Sequence, residues 1–241
     1  MGSGETGAWF QTTSWSLVLS ARGSRADLEL LLRAYWSPVY AFIRAKGFGH
    51  HDASDLTQEF LAEILVGRDL IAKADPMRGR FRAFLKSALR NFLIDQHRRA
   101  SSKRAAPSNP IASVDAVPEA ADGSRDGGGG EPAAAFDRQW AAAVLALAIE
   151  RTESACMQDS MEMQWAAFKA VVLTPLTGRV KSPNMDELAK RLGAAGPAQV
   201  SNMVQTVKRR FRRTLQQVVA ETVMDPAEVE DELAALQRFF G

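Results

Sequence analysis

Asp52, Asp55, Glu59 and Glu63 fall at steps of three, four and four residues. In a helix that spacing puts four carboxylates on one face, opposite Leu56 and Phe60. Like charges so placed repel, and a helix built for stability alone would interleave lysines. Three readings of the face stay open from the residues: a solvated acidic surface, a docking surface for a basic partner, or a metal site with His51 four residues before Asp55. The metal reading lacks a complementary ligand set, because the chain has only 3 histidines and a single cysteine, Cys156. One cysteine also excludes an intramolecular disulfide and a cysteine-based zinc centre. Gly127 to Gly130 has no Lys-Ser or Lys-Thr after it and no strand before it, so a phosphate-binding loop is not expected. The chain reads as a binding protein, not an enzyme, with no metal and no cofactor.

The cations have the opposite pattern. Arg78, Arg80, Arg82, Lys86, Arg90, Arg98 and Arg99 run through one segment, interleaved with Phe81, Phe84, Asn91, Gln96 and His97. Cations suit phosphates, and rings or amides suit unstacked bases. The phenylalanines serve equally well as core. Further on, Lys208, Arg209, Arg210, Arg212 and Arg213 place five cations in six residues, preceded by Gln199, Ser201, Asn202 and Gln205. That order fits a recognition helix whose first turns meet base edges while its cations hold phosphates. A plain surface helix has the same composition.

Helices must position these groups. The 241 residues are 46% apolar and 24% charged, enough for one large core or two small ones. No apolar run approaches the roughly 20 residues of a membrane span, so a soluble chain without a membrane partner is expected. Periodicity is helical throughout and no period-two stretch predicts a strand. Ser24 and Asp27 form a capping-box start, after which Leu28, Leu31, Leu32, Tyr35, Val39, Phe42 and Ile43 repeat at helical steps, with Pro38 expected to kink or split the helix. Further helices are predicted over 52–66, from Arg80, and over 136–153, 161–173, 185–192, 197–223 and 227–240. Ala105 to Pro132, with four prolines and five glycines in 28 residues, cannot bury enough surface to fold and reads as a linker. The expected fold is all-α, two small helical domains joined by this flexible linker. The boundaries are 1–27 as an extension, 28–104, the linker 105–135, a helix-turn-helix domain 136–223, and an acidic helix in 224–241.

The net charge of +2 conceals segregation. Residues 1–104 carry 16 Lys+Arg against 10 Asp+Glu, residues 169–213 carry 10 against 2, and residues 214–241 carry 1 against 6. One expectation for the acidic tail, with Glu228, Glu230, Asp231 and Glu232, is that it folds back and shields Lys208 to Arg213. The other is ordinary packing against the helix-turn-helix.

His51-Asp52-Ala53-Ser54-Asp55-Leu56-Thr57-Gln58-Glu59-Phe60 resembles the D-A-x-D-L-x-Q-E-x-F signature of bacterial RNA polymerase sigma factors of the extracytoplasmic-function (ECF) class, in the sigma-70 family. Gly79 to Leu85, followed by Ala88-Leu89-Arg90-Asn91, Asp95 and Arg98-Arg99, is similar to the same family's F-R-x-W-L-x-x-x-A-x-N-x-x-x-D-x-x-R-R stretch. Thr13 to Leu19 and the ending 221–233 are similar to a planctomycete-like subgroup often associated with serine/threonine kinases. The resemblance implies that 28–104 is region 2, docking on the β′ clamp helices of core RNA polymerase through Asp52, Asp55, Gln58, Glu59 and Glu63. It implies that the loop 74–79 captures a flipped base of the −10 element, and that Arg78, Arg80, Arg82, Lys86, Arg90, Asn91, Arg98 and Arg99 hold the −10 DNA. It further implies a region 4 near the β flap that contacts the −35 element through Gln199, Ser201, Asn202, Gln205, Lys208, Arg209, Arg210, Arg212 and Arg213. Further partners so implied are an anti-sigma factor or a Ser/Thr kinase, and the location is cytoplasmic. Three positions depart from the pattern. Phe84 replaces the usual tryptophan; Ser54 replaces a frequent acid and is a candidate phosphosite; and the turn from Gly193 to Val200 is one residue longer than usual, with the basic cluster about two residues late. The other reading is a helix-turn-helix regulator that binds DNA or polymerase without melting promoters.

Overall fold

The structure is a computed structural model that describes residues 15–67, 69–75, 80–104, 131–176, 182–223 and 225–240, and among these it contains helices and no strand. The order is α1 (Trp15–Ser20), α2 (Arg25–Ala45), α3 (His50–Val66), α4 (Asp69–Ala72), α5 (Phe81–Arg104), α6 (Pro132–Gln158), α7 (Glu162–Phe168), a π-helical stretch (Lys169–Leu173), α8 (Thr174–Leu176), α9 (Met185–Leu192), α10 (Pro197–Ala220) and α11 (Glu228–Phe240). The all-α expectation is met. No helix among the described residues is long and apolar enough to cross a membrane. Most of the expected linker, 105–130, lies outside the described residues.

Local chemistry sets most helix ends. Ser24 has extended backbone angles and its Oγ accepts the Asp27 N–H at 3.2 Å, which caps α2. Of the kink or split expected at Pro38, the split does not occur: α2 is one helix through Pro38. The Pro38 ring is itself buried in the core, and Leu31, Tyr35, Val39 and Phe42 on either side hold both halves in register. Pro132 begins α6 four residues earlier than the apolar pattern suggested, because proline at a first helical position lacks only an N–H that would be unpaired anyway. Between α6 and α7, Ser160 adopts φ 55°, while its N–H reaches Met157 O at 3.3 Å and that of Met161 reaches Cys156 O at 2.8 Å. These are the paired bonds of a Schellman turn, with serine where glycine is usual.

The buried side chains of the described residues form two cores. The first joins α1, α2, α3 and α5 to Phe136, Trp140, Val144 and Leu147 of α6, Val218 and Val219 of α10, and Leu236 of α11. The second holds Cys156, Trp165, Phe168, Leu188, Val200, Val204 and Val207. Phe211 packs against both. The physical reason is length: at 1.5 Å per residue α6 and α10 are roughly 40 and 36 Å long, more than one small core can cover. Their apolar stripes therefore continue from one core into the other. Before α2, Trp15 and Val18 of α1 are buried in the first core, and the Trp15 N–H bonds Glu221 O at 3.2 Å.

At the centre of the first core Tyr35 meets Phe81 edge-on at 5.4 Å and stacks on Phe136 at 6.0 Å. Phe136 is fully buried although the expected boundary placed it in the other domain. Phe136→Ala should cost about 3–5 kcal/mol of global stability. Guanidinium denaturation checks this, and a loss below about 1 kcal/mol would mean the 28–104 unit does not depend on α6.

Candidate nucleic-acid interface

In α3 the buried side is Ala53, Thr57, Phe60 and Leu61, with Leu56 only partly covered, one step round from the expected stripe. The buried Thr57 hydroxyl donates to Ala53 O at 2.6 Å, which satisfies it inside the helix. Asp52, Asp55, Gln58, Glu59 and Glu63 are all exposed, so the acidic face is as open as its spacing predicted. Gln96 of α5 donates to the Glu59 carboxylate. Ser54 is half-buried on the flank of this face. Among the described residues no group of His, Cys, Asp or Glu is arranged to hold a metal.

The cations of α5 divide into two groups. Arg90, Asn91, Arg98 and Arg99 are exposed along its second half, and Arg98 makes a long, solvent-exposed pair with Asp95 at 3.9 Å. In the first half the cations are covered. Arg80 Nε lies 2.8 Å from Glu232, with Glu228 at 3.7 Å and Asp231 at 3.9 Å from the same side chain. Arg82 donates to Glu232 at 2.6 Å and to Asp137 at 3.1 Å, and its guanidinium sits 4.2 Å over the Trp140 ring. Lys86 holds both Asp137 oxygens, at 2.9 and 2.8 Å. Arg82 and Lys86 are therefore not presented to solvent as their spacing with Arg90 suggested. Arg78 and the loop residues 76–79 lie outside the described residues. Just before them, Arg22 donates to Ala74 O at 2.6 Å and anchors the loop's start.

The second surface is built by α9 and α10. Asn184 caps α9, its Oδ1 accepting the Asp186 and Glu187 N–H groups at 2.8 and 3.4 Å. Gly193 ends α9 at φ 68°, where a side chain would be strained, and Pro197 restarts the chain in α10. A short helix, a turn through Gly193 and a long helix thus follow one another here. Val200, Met203, Val204 and Val207 face the core, leaving Ser201, Asn202, Gln205, Lys208, Arg209, Arg212 and Arg213 exposed together on the outer side. Two expected contact residues are engaged elsewhere. The Gln199 amide oxygen accepts the Ala195 N–H at 2.6 Å, so it braces the turn. Arg210 donates to Ala155 O at 2.8 Å and to Asp159 at 2.5 Å, joining α10 to the end of α6. The Asp159 hydrogen bond raises the Arg210 pKa, whereas burial raises that of the neighbouring Cys156 thiol against the lowering effect of Arg210. Cys156 is a packed neutral thiol.

The expected shielding of Lys208 to Arg213 by the tail does not occur. The carboxylates of α11 lie on Arg80 and Arg82 instead. The apolar side of α11 decides this, because Leu236 joins the first core, with Val218, Val219 and the α5 residues, and not the second.

An exposed acidic helix thus stands in one helical block with a half-exposed cationic helix, α3 beside α5. Residues 31–103 match the family model of Sigma-70 region 2. The match supports a sigma-70 family factor, and it covers α3 and α5 entirely apart from the last residue of α5. A sigma-70 region 2 implies a part in transcription initiation, with core RNA polymerase and promoter DNA as partners. No curated protein and no solved structure matches the chain.

Arg98→Ala with Arg99→Ala should reduce the salt dependence of single-stranded DNA binding by about 0.7 per removed cation in the log–log slope. Lys86→Ala should leave the slope unchanged, because Asp137 already neutralises that ammonium. Fluorescence anisotropy titrations over a series of salt concentrations check both outcomes.

Proposed function

We propose that this chain is a dissociable RNA polymerase sigma factor of the ECF class that directs promoter-specific initiation. The observation that carries the reading is the coincidence of the region 2 match with an open acidic face on α3 and open cations with Asn91 on α5. On this reading Asp52, Asp55, Gln58, Glu59 and Glu63 dock on the β′ clamp helices. The exposed end of α5 then holds the non-template strand of the −10 element. Capture of an extruded base offsets the few kcal/mol of unstacking, so binding free energy opens the duplex and no bond is broken. The exposed side of α10 grips the −35 element, with Ser201, Asn202 and Gln205 toward base edges and Lys208, Arg209, Arg212 and Arg213 toward phosphates. The protein needs no cofactor for this and acts in the cytoplasm. The planctomycete-like ending and an anti-sigma or kinase partner belong to the same proposal, with Ser54 the acceptor on the docking face.

One observation favours a second reading, a helix-turn-helix regulator that does not melt promoters. The first half of α5 is covered by α6 and α11, while the outer side of α10 is open.

Transcription reconstituted with core polymerase separates the two, since only a sigma factor yields promoter-specific transcripts. Asp55→Arg with Glu59→Arg should reduce core binding at least about a hundredfold, several close charge pairs at about 1.5 kcal/mol or more each. The fold should be retained, since both side chains are exposed. Core binding undiminished by the reversal would remove α3 as the docking surface.

A further inference from the structure

We infer that α11 is a displaceable acidic strap over a phosphate-binding surface formed by Arg80 and Arg82. Two guanidiniums converge on one carboxylate, Glu232, which is 1% exposed, with Arg80 at 2.8 Å and Arg82 at 2.6 Å. Glu228 and Asp231 add further negative charge around Arg80. Planar guanidinium donors that hold a carboxylate in this way hold a phosphodiester equally well. The covered pair lies at the start of α5, Arg80 just before the helix and Arg82 in its first turn, and further along the same helix Arg90, Asn91, Arg98 and Arg99 are bare. A nucleic acid strand laid along α5 from that end reaches the strap.

The strap is built to leave. It is a 13-residue helix, close to the length at which an isolated helix is marginal in water. Its described apolar anchors are few: Ala235 and Leu236 are buried, and Val229 and Leu233 are partly covered. Asp137 stays with Arg82 and Lys86 when α11 goes, because it belongs to α6, whose Phe136 and Trp140 are core residues. The surface uncovered is therefore Arg80 and the half of the Arg82 guanidinium that faces Glu232. A polyanion competes for it with the carboxylates of α11, so the free chain holds DNA weakly and the opened chain holds it well.

The inference rests on the nucleic-acid role proposed for α5, and the test separates the two. Full-length protein is titrated with a fluorescein-labelled, mixed-sequence single-stranded DNA, comparing wild type with Glu232→Gln and with the exposed-rim variant Glu228→Gln/Asp231→Asn. Both variants should bind about five- to tenfold more tightly at low salt, with a steeper salt dependence. The gain should vanish when Arg80→Gln and Arg82→Gln are added. Hydrogen exchange on the wild-type chain should show the amides of 228–240 losing protection at saturating DNA. Variants of wild-type affinity, or α11 amides equally protected with and without bound DNA, overturn the strap. Tighter variants without any promoter-specific transcript from reconstituted polymerase would keep the strap and remove the sigma reading, whereas transcripts with unchanged affinities would do the reverse.

Discussion

A carboxylate with almost no exposure is a costly object in a protein interior, and Glu232 is tolerable only because Arg80 and Arg82 both reach it. Removing one partner of such a cluster typically costs 3–5 kcal/mol, largely through the charge left behind. The apolar packing of the first core has to satisfy that constraint. To keep Glu232 paired, α11 must lie across the start of α5, and α10 must end where the short connection 221–227 can reach. To keep Arg82 paired on its other side, α6 must present Asp137, which in turn puts Trp140 under the guanidinium and Phe136 against Tyr35. One charge cluster therefore links three segments that are far apart in sequence.

The same cluster, with the apolar stripe of α6, brings described residues from both sides of the Pro/Gly-rich stretch into one core. The Pro/Gly-rich stretch is a boundary in composition, and the chain has two cores, yet the ion pairs and the stripe of α6 draw the residues after it back onto the residues before it. What is separated by the linker in sequence is rejoined by burial. The second core remains small, and the outer side of α10 stands clear of it.

The near-neutral total charge is the sum of surfaces with different fates. The acids of α3 and most cations of α10 face solvent and are available to partners, whereas Glu232 of α11 pairs inside the fold with Arg80 and Arg82 at the start of α5. Exposed charges are attracted to partners in a salt-dependent way, and buried pairs are screened much less. A count by segment cannot distinguish these cases, because it assigns a sign and not a neighbour.

Helix identity and the exposure of the α3 carboxylates were legible in the sequence for local reasons. Apolar spacing, the Ser24 cap, the Gly193 and Pro197 turn and the acidic face of α3 each depend on residues within about one helical turn of each other. The continuity of α2 through Pro38 was not legible, since it depends on core packing around the ring. Nor was the role of Gln199 as a brace, or of Arg210 as a tie to α6, since each turns on which of several acceptors the fold brings near. By itself the sequence determined an all-α chain with charge-segregated helices, because periodicity and capping are short-range. Only the tertiary structure decided which cations are free and where the acidic tail lies. Charged side chains choose partners by distance in space, and that distance exists only once the apolar stripes of α6, α10 and α11 have packed.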